Sequence, residues 1–309
     1  MSKLLVTGGS GMIGRALQKV KPDALYISSK DCNLLSQEQT DRLFDLYKPD
    51  HVIHLAAKVG GVKANHDNLG TFFTENIRIN VNVLDAARKF GVKKLVSLLS
   101  TCVYPSTAKY PLTEDQINNG EPHFTNFAYA YAKRMLDVQS RAYRKQYECN
   151  FITAIPNNLF GEHDYFDLED SHVIPAIIRK IDDASNNLET PVFWGNGSPM
   201  REFTYSQDLA KILLFLLENY DEETPINVGN TKEFSIEEVV KIVMKIMKYS
   251  GDVNWDASKL SGQYKKPSEN KKLLDLGWQK KDYTSFEEAL KNTCQWYKDN
   301  YPNIRGVNK

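Results

Sequence analysis

Tyr129 and Lys133 stand four residues apart in the run FAYAYAK, a spacing that places both side chains on one face of a helix. A lysine ammonium beside a phenol lowers the cost of the phenolate. The expectation is that Tyr129 moves down from the usual value of about 10 towards working pH, which would make it a usable proton donor to a substrate oxygen. Ser100 precedes this pair at the end of an apolar run, KLVSLL, where its hydroxyl could hydrogen-bond the same oxygen. Y-x-x-x-K also arises by chance on ordinary amphipathic helices. The serine and a glycine loop near the N-terminus favour chemistry over that reading.

That loop lies in KLLVTGGSGMIGRAL, Lys3 to Leu17, which reads as strand, tight turn and helix. Gly8, Gly11 and Gly14 form G-x-x-G-x-x-G: the first allows the turn, the second lets backbone approach a pyrophosphate, and the third packs helix on strand. The helix start then offers free N–H groups and the positive end of its dipole. Further runs alternate between strand and helix patterns. Strands are expected at Ala24–Ser28, His51–Leu55, Lys94–Leu99 and Asn150–Ile155, with helices between them, including Gly70–Phe90 and one from near Thr125. Such alternation predicts an α/β chain with a doubly wound parallel sheet of Rossmann type.

The end of the second strand bears on cofactor choice, because dinucleotide folds hold the adenosine ribose there. Ser28, Ser29 and Lys30 suit a 2′-phosphate and favour NADP, whereas Asp31 keeps NAD open and Lys30 could be a solvated loop residue. Ala56 and Ala57 end the third strand with small side chains that let backbone lie against a cofactor, although close helix packing would explain them equally well. His51 and His54 read as edge or core residues, since no third metal ligand stands at a suitable spacing.

Lys plus Arg equal Asp plus Glu at 39 each, so no nucleic-acid footprint or membrane-surface patch is expected in this 309-residue chain. The N-terminus lacks a signal-peptide pattern and no apolar run approaches membrane-spanning length, so the expected location is cytoplasmic. Cys32, Cys102, Cys149 and Cys294 lack C-x-x-C spacing and read as free thiols. Lys211–Asn219 reads as an apolar helix returning to the cofactor lobe. Ser36 with Gln39, Ser235 with Glu238 and Ser285 with Glu288 read as capping boxes, and Asn303–Lys309 as a frayed polar tail.

TGGSGMIG, HLAAKVGG, the serine of LLSTCVYP, and YAYAK resemble the extended short-chain dehydrogenase/reductases. STCVYP, PNNLFGEHDYF, SHVIPA and WGNGSPMREF narrow the resemblance to members that convert GDP-4-keto-6-deoxy-D-mannose to GDP-L-fucose with NADPH. The resemblance implies a reductive triad of Ser100, Tyr129 and Lys133, and a pair, Cys102 and His172, that exchanges protons at C3 and C5. A 4-ketone acidifies both neighbouring carbons, so each inversion needs one group to remove a proton and another to return one from the opposite face. Ser100 and Cys102, two apart at a strand end, are expected on one side. Without the resemblance, Cys102 would read as an inert buried thiol and His172 as a helix N-terminal histidine.

The resemblance also implies NADP(H) held by Gly8, Gly11, Met12, Ile13, Gly14, Ser29, Lys30, Asp31, Leu55, Ala56, Ala57, Leu98, Lys133, Pro156, Asn157, Asn158, Leu159 and His172. Lys180, Trp194, Arg201 and Lys266 are the expected contacts to the GDP moiety, with no metal. Ser261 stands where an acidic substrate contact is expected in bacterial members. The implied organisation is an NADP-binding Rossmann domain over 1–160 and 200–228, and a sugar-nucleotide domain over 161–199 and 229–309. A homodimer is expected through a four-helix bundle of the helices at 70–90 and 125–147.

Overall fold

The computed structural model describes residues 2–61, 67–187, 189–258 and 264–307, so Ser261 and the last two residues of the expected tail lie outside the described residues. The chain runs β1 (Leu4–Thr7), α1 (Met12–Val20), β2 (Leu25–Ile27), α2 (Gln37–Tyr47), β3 (His51–His54), α3 (Leu69–Lys89), β4 (Lys94–Leu98), α4 (Phe127–Tyr147) and β5 (Phe151–Pro156). There follow β6 (Asn158–Phe160), α5 (Val173–Asn187), β7 (Val192–Trp194), β8 (Met200–Tyr205), α6 (Ser206–Asn219) and β9 (Ile226–Val228). The last elements are β10 (Glu233–Ser235), α7 (Ile236–Met247), β11 (Asn254–Asp256), α8 (Lys271–Asp275) and α9 (Phe286–Asn300).

Six strands form one parallel sheet in the order β2-β1-β3-β4-β5-β9. Its strands alternate between two buried faces. Leu5, Val52, Leu95 and Phe151 pack with Phe44, Val83, Leu84 and Leu136 on one side. Leu4, Val6, Ile53, Val96 and Ile152 pack with Leu17, Leu209, Leu213 and Leu216 on the other. A side-chain period of two, buried on both faces, is what a sheet covered by helices requires. The chain order reverses between β1 and β3, and there the open crevice lies beyond the strands' carboxyl ends.

A second core forms around a smaller sheet, β10-β8-β6, with β8 antiparallel to β10 and parallel to β6. Phe160, Phe203 and Tyr205 from this sheet pack with Ile177, Ile178, Ile181, Val239, Val243, Leu290 and Tyr297. The packing crosses the expected boundaries at three places. Phe160 and residues 200–205 pack with the second core, whereas Leu273 and Trp278 pack into the cofactor-side core beside α6. These segments are short and apolar, and only the partner surface decides where such a segment is buried.

Helix ends follow local chemistry in part. Ser235 and Glu238 form a reciprocal capping box at α7. Ser36 and Ser285 each accept the N3 backbone N–H, but Gln39 turns away to accept from Asn33 N at 3.0 Å. The expected frayed tail is instead docked: Ile304 is buried in the second core and Phe166 N donates to Arg305 O at 2.8 Å. Its polar composition concealed one apolar anchor. Among the described residues, no helix is long and apolar enough to cross a membrane.

The glycine turn is held by contacts that leave no room for side chains. Gly8 has φ +73°, and a Cβ on it would meet Ala56 N at 2.9 Å; a Cβ on Gly14 would meet Gly8 O at 2.5 Å. Gly14→Ala therefore forces backbone to move, and it should lower unfolding stability by about 1–3 kcal/mol. A urea midpoint unchanged in that variant would show that the turn accommodates the methyl.

Candidate active site

β4 ends at Leu98, and Ser100 caps a single 3-10 turn at Thr101–Val103 by accepting Cys102 N at 3.5 Å. Cys102 sits on that turn rather than on an extended strand, so a strand pleat does not relate it to Ser100 as the spacing predicted. The two remain neighbours through the cap. α4 lies across this turn: Arg134 Nε donates to Val103 O at 2.7 Å, and Lys133 Nζ donates to Leu98 O at 2.7 Å. Lys133 is also 5.8 Å from the centroid of the Tyr129 ring. Ser100, Cys102, Tyr129 and Lys133 are thus gathered at one strand end.

Burial governs the protonation of this cluster. Lys133 is 4% exposed, and burial lowers its ammonium to about 8. Burial pushes the Tyr129 phenol well above its ordinary range, with a further push from Cys102. The expectation that Lys133 draws the phenol down is therefore not met by the protein groups alone. Desolvation of the phenolate dominates, and the Lys133 ammonium hydrogen-bonds a carbonyl instead. A phenol that keeps its proton is still the form a proton donor needs. The Cys102 thiol is likewise raised by burial, against the opposing pull of Lys266, Ser100 and Lys133.

Lys266 is another amine of this cluster. Burial lowers it to about 8, Cys102 raises it and Arg201 lowers it further, so the amine lies in the field of both. Arg201 donates from Nη1 to Met200 O at 2.7 Å and to Tyr264 O at 3.3 Å. Lys180 Nζ donates to Val192 O at 2.8 Å and lies 5.9 Å from the Trp194 ring, which is 48% exposed. The four residues expected against GDP therefore divide, Lys180 with Trp194 and Lys266 with Arg201. His172, just before α5, is half-exposed with Nδ1 3.7 Å from Asp164 Oδ1.

The cofactor-side residues converge on the crevice at the carboxyl ends of β1, β2 and β3. Gly11 is the N-cap of α1 without a side-chain cap, and its neighbours Met12, Ile13 and Gly14 form the helix start that an anion would face. Thr7 Oγ1 accepts the N–H groups of Leu55 and Ala56 at 3.2 and 3.3 Å and lies 2.7 Å from His54 Nδ1. The other ring nitrogen of His54 lies 3.2 Å from Asn80 Oδ1, and burial lowers the ring to about 3. His54 is thus a neutral strut that fixes the edge bearing Leu55, Ala56 and Ala57. His51 sits at the edge, with Nδ1 3.0 Å from Ser2 Oγ.

At the end of β2 the carboxylate of Asp31 accepts both Ser28 N at 2.8 Å and Ser28 Oγ at 2.6 Å, while Ser29 and Lys30 remain exposed. Both bonds end on Oδ2; they hold Asp31 below its usual range and turn its carboxylate back towards Ser28. Asn157, between β5 and β6, has its side chain committed to protein: Nδ2 donates to Glu202 Oε2 at 3.2 Å and to Asn230 O at 2.8 Å. Pro156, Asn158 and Leu159 adjoin it, and Asn158 Nδ2 donates to Glu202 O at 2.8 Å.

Sequence reading missed Glu202, Ser268 and Asp164. Glu202 is 2% exposed and accepts Ser268 N at 2.9 Å and Ser268 Oγ at 2.6 Å, which fixes the segment carrying Lys266. WGNGSPMREF contains Glu202 and PNNLFGEHDYF contains Asp164. Nothing in either string marks which carboxylate will be buried.

The cradle of Gly8, Gly11 and Gly14 at a helix start fits a dinucleotide pyrophosphate, and an exposed lysine at the end of β2 fits an additional phosphate. Comparison with known proteins agrees. Residues 4–229 match the NAD dependent epimerase/dehydratase family. The chain is 44% identical to GDP-L-fucose synthase of Dictyostelium discoideum, over 98% of this chain and 97% of that one. It is 37% identical to GDP-L-fucose synthase of Sinorhizobium fredii, over 96% of both. A crystal structure of a GDP-L-fucose synthetase from Naegleria fowleri bound to NADP matches with a TM-score of 0.91 and 40% identity, covering 98% of this chain and 96% of that chain.

Proposed function

The chain belongs to the NAD dependent epimerase/dehydratase family, and from that premise we propose that it converts GDP-4-keto-6-deoxy-D-mannose to GDP-L-fucose, inverting C3 and C5 and reducing C4 with NADPH. The observation that carries the reading is the gathering of a serine, a thiol, a phenol and a buried amine at the end of β4, beside a glycine-lined crevice. The reductive trio alone would suit many ketone reductases. The thiol gives this site its second reaction.

When bound, NADPH supplies the hydride that reaches C4. The backbone of Gly8–Gly14 holds its pyrophosphate, and Ser29 and Lys30 hold its 2′-phosphate. Tyr129 donates its proton to O4, Ser100 hydrogen-bonds the same oxygen, and Lys133 holds ribose hydroxyls while favouring the developing phenolate. Cys102 and His172 exchange protons at C3 and C5 before reduction. Lys180, Trp194, Arg201 and Lys266 face the GDP part, where cations suit the pyrophosphate and Trp194 offers an apolar plane. A cytoplasmic location is part of this proposal.

We further propose a homodimer. α3 and α4 lie side by side, and Phe73, Val81, Phe127, Met135 and Val138 are each 40–42% exposed on them. Phe127, Tyr131 and Met135 recur every four residues, so they make one stripe, and with Leu69, Gly70, Phe73 and Ala128 they line an apolar groove. A second copy of the same helix pair would bury that stripe in a four-helix bundle.

Incubation with GDP-4-keto-6-deoxy-D-mannose and NADPH should yield GDP-L-fucose with one NADPH oxidised per sugar, and recovery of the keto sugar unreduced would refute the reading. Tyr129→Phe should slow NADPH oxidation by a factor on the order of 10² to 10⁴ while NADPH still binds; near-normal turnover would remove Tyr129 from the role of acid. Lys30→Asp should narrow or reverse a preference for NADPH over NADH in kcat/KM. Equal kcat/KM for both cofactors in the unsubstituted protein would sink the argument from β2. Light scattering at micromolar concentration should give a dimer mass that Met135→Glu reduces to that of a monomer, and a monomeric unsubstituted chain would end the dimer proposal.

A further inference from the structure

A buried carboxylate stands beside His172. Asp164, on the loop between β6 and α5, is 5% exposed. Its Oδ1 accepts the Tyr165 backbone N–H at 2.8 Å and lies 3.7 Å from His172 Nδ1. That separation is an ion-pair contact, longer than a hydrogen bond. Oδ2 is buried with no hydrogen-bond partner among the described residues. A buried carboxylate short of donors is unfavourable, and the imidazole beside it has an N–H to give.

The loop that carries Asp164 is held from several sides. Glu162 accepts Lys19 Nζ at 3.1 Å and Gln207 Nε2 at 2.9 Å, and Asp167 Oδ1 accepts the N–H groups of Glu169 and Asp170. Arg179 Nη1 donates to Phe166 O at 2.8 Å, and the Phe166 ring stacks on Trp296. The carboxylate is thus fixed by packing while the histidine side chain is 54% exposed. A fixed acceptor beside an exposed ring is the arrangement that sets a histidine's tautomer and aim.

We infer that Asp164 is a positioning residue for His172: it takes the Nδ1–H of the ring, turns Nε2 towards the sugar, and favours the protonated ring that returns a proton to carbon. This rests on the reading of His172 as an epimerisation residue. In each inversion the Cys102 thiolate removes the proton beside the ketone, and the C–H electron pair passes into the enolate. His172 Nε2–H then supplies a proton to the same carbon from the opposite face, and solvent exchange restores both groups. Among the described residues, Asp164 is the charged group that acts on the ring, and it holds His172 above its ordinary value against the opposing effect of burial.

The test is histidine-ring NMR on the full chain, with the His172 signal identified by its loss in His172→Gln. In the unsubstituted protein His172 should titrate above 6.5. Asp164→Asn should lower that midpoint by about one pH unit, a tenfold change in the protonation equilibrium, and Asp164→Glu should restore it. Deuterium wash-in at C3 and C5 of the keto sugar, with NADP⁺ bound, should fall on the order of tenfold or more in Asp164→Asn with KM unchanged. A midpoint at or below 6.5 in the unsubstituted protein overturns the inference without any variant. A midpoint unmoved by Asp164→Asn, with wash-in still lost in His172→Gln, overturns the role of Asp164 alone. Normal wash-in in His172→Gln overturns the epimerase reading of His172 and this inference with it.

Discussion

The hydrogen bond from Lys133 Nζ to Leu98 O ties the chemistry to the fold. A buried ammonium away from water is costly unless it is hydrogen-bonded, and the carbonyl at the end of β4 is the acceptor within reach. With Thr153 Oγ1 donating to Asp137 Oδ1 and Leu136 packed against Leu95 and Phe151, that contact sets the register of α4 against the central sheet. Because Tyr129 is one helical turn before Lys133, the phenol is delivered to the same strand end. Arg134, next along the helix, grips Val103 O and Gly120 O, so the turn bearing Cys102 cannot shift independently of α4. Ser100, Cys102, Tyr129 and Lys133 are held at one strand end by these bonds.

The second lobe reaches this group through a buried polar joint. Asn157, Thr204, Asn230, Glu202 and Ser268 bond to one another where β5 passes into β6 and β8. Burial raises the Glu202 carboxyl, while donors from Ser268 and Asn157 hold it down. Leu112 N donates to Pro267 O and Glu269 N to Leu112 O, so the strap that carries Lys266 is pinned from the cofactor side as well. Partly satisfied buried networks are penalised heavily, which makes such a joint specific in geometry. The segment that places Lys266 in the field of Cys102 is thus held by both lobes at once.

Desolvation is the common influence on the reacting groups. It raises the thiol and the phenol and lowers both amines to about 8. Each group is thereby moved towards its neutral form, and small changes of charge in the cleft can redistribute protons among them. His172 departs from this pattern because its carboxylate neighbour outweighs burial. In the proposed reaction a raised histidine and a buried thiol supply the two different proton-exchanging groups that an inversion at carbon demands.

Several features were legible in the sequence because they depend on local spacing. The Gly8–Gly14 turn, the alternation of strand and helix and the Tyr129–Lys133 face each follow from periods of two or 3.6 residues and from the freedom of glycine. Other features were decided by tertiary structure, since they depend on which surface covers a group. Tyr129 was expected to move down and is pushed up, because the sequence shows the lysine but not the burial. Cys102 reaches Ser100 through a 3-10 cap rather than a strand pleat. Asp31 turns its carboxylate to Ser28, and Ile304 turns a polar tail into a docked one. The short strands of the second lobe carry too few residues for their period to fix their partners, so residues 200–205 and 271–278 were assigned to lobes only by packing. Asp164 and Glu202 are two among 39 acidic residues in the chain, and only long-range burial sets them apart.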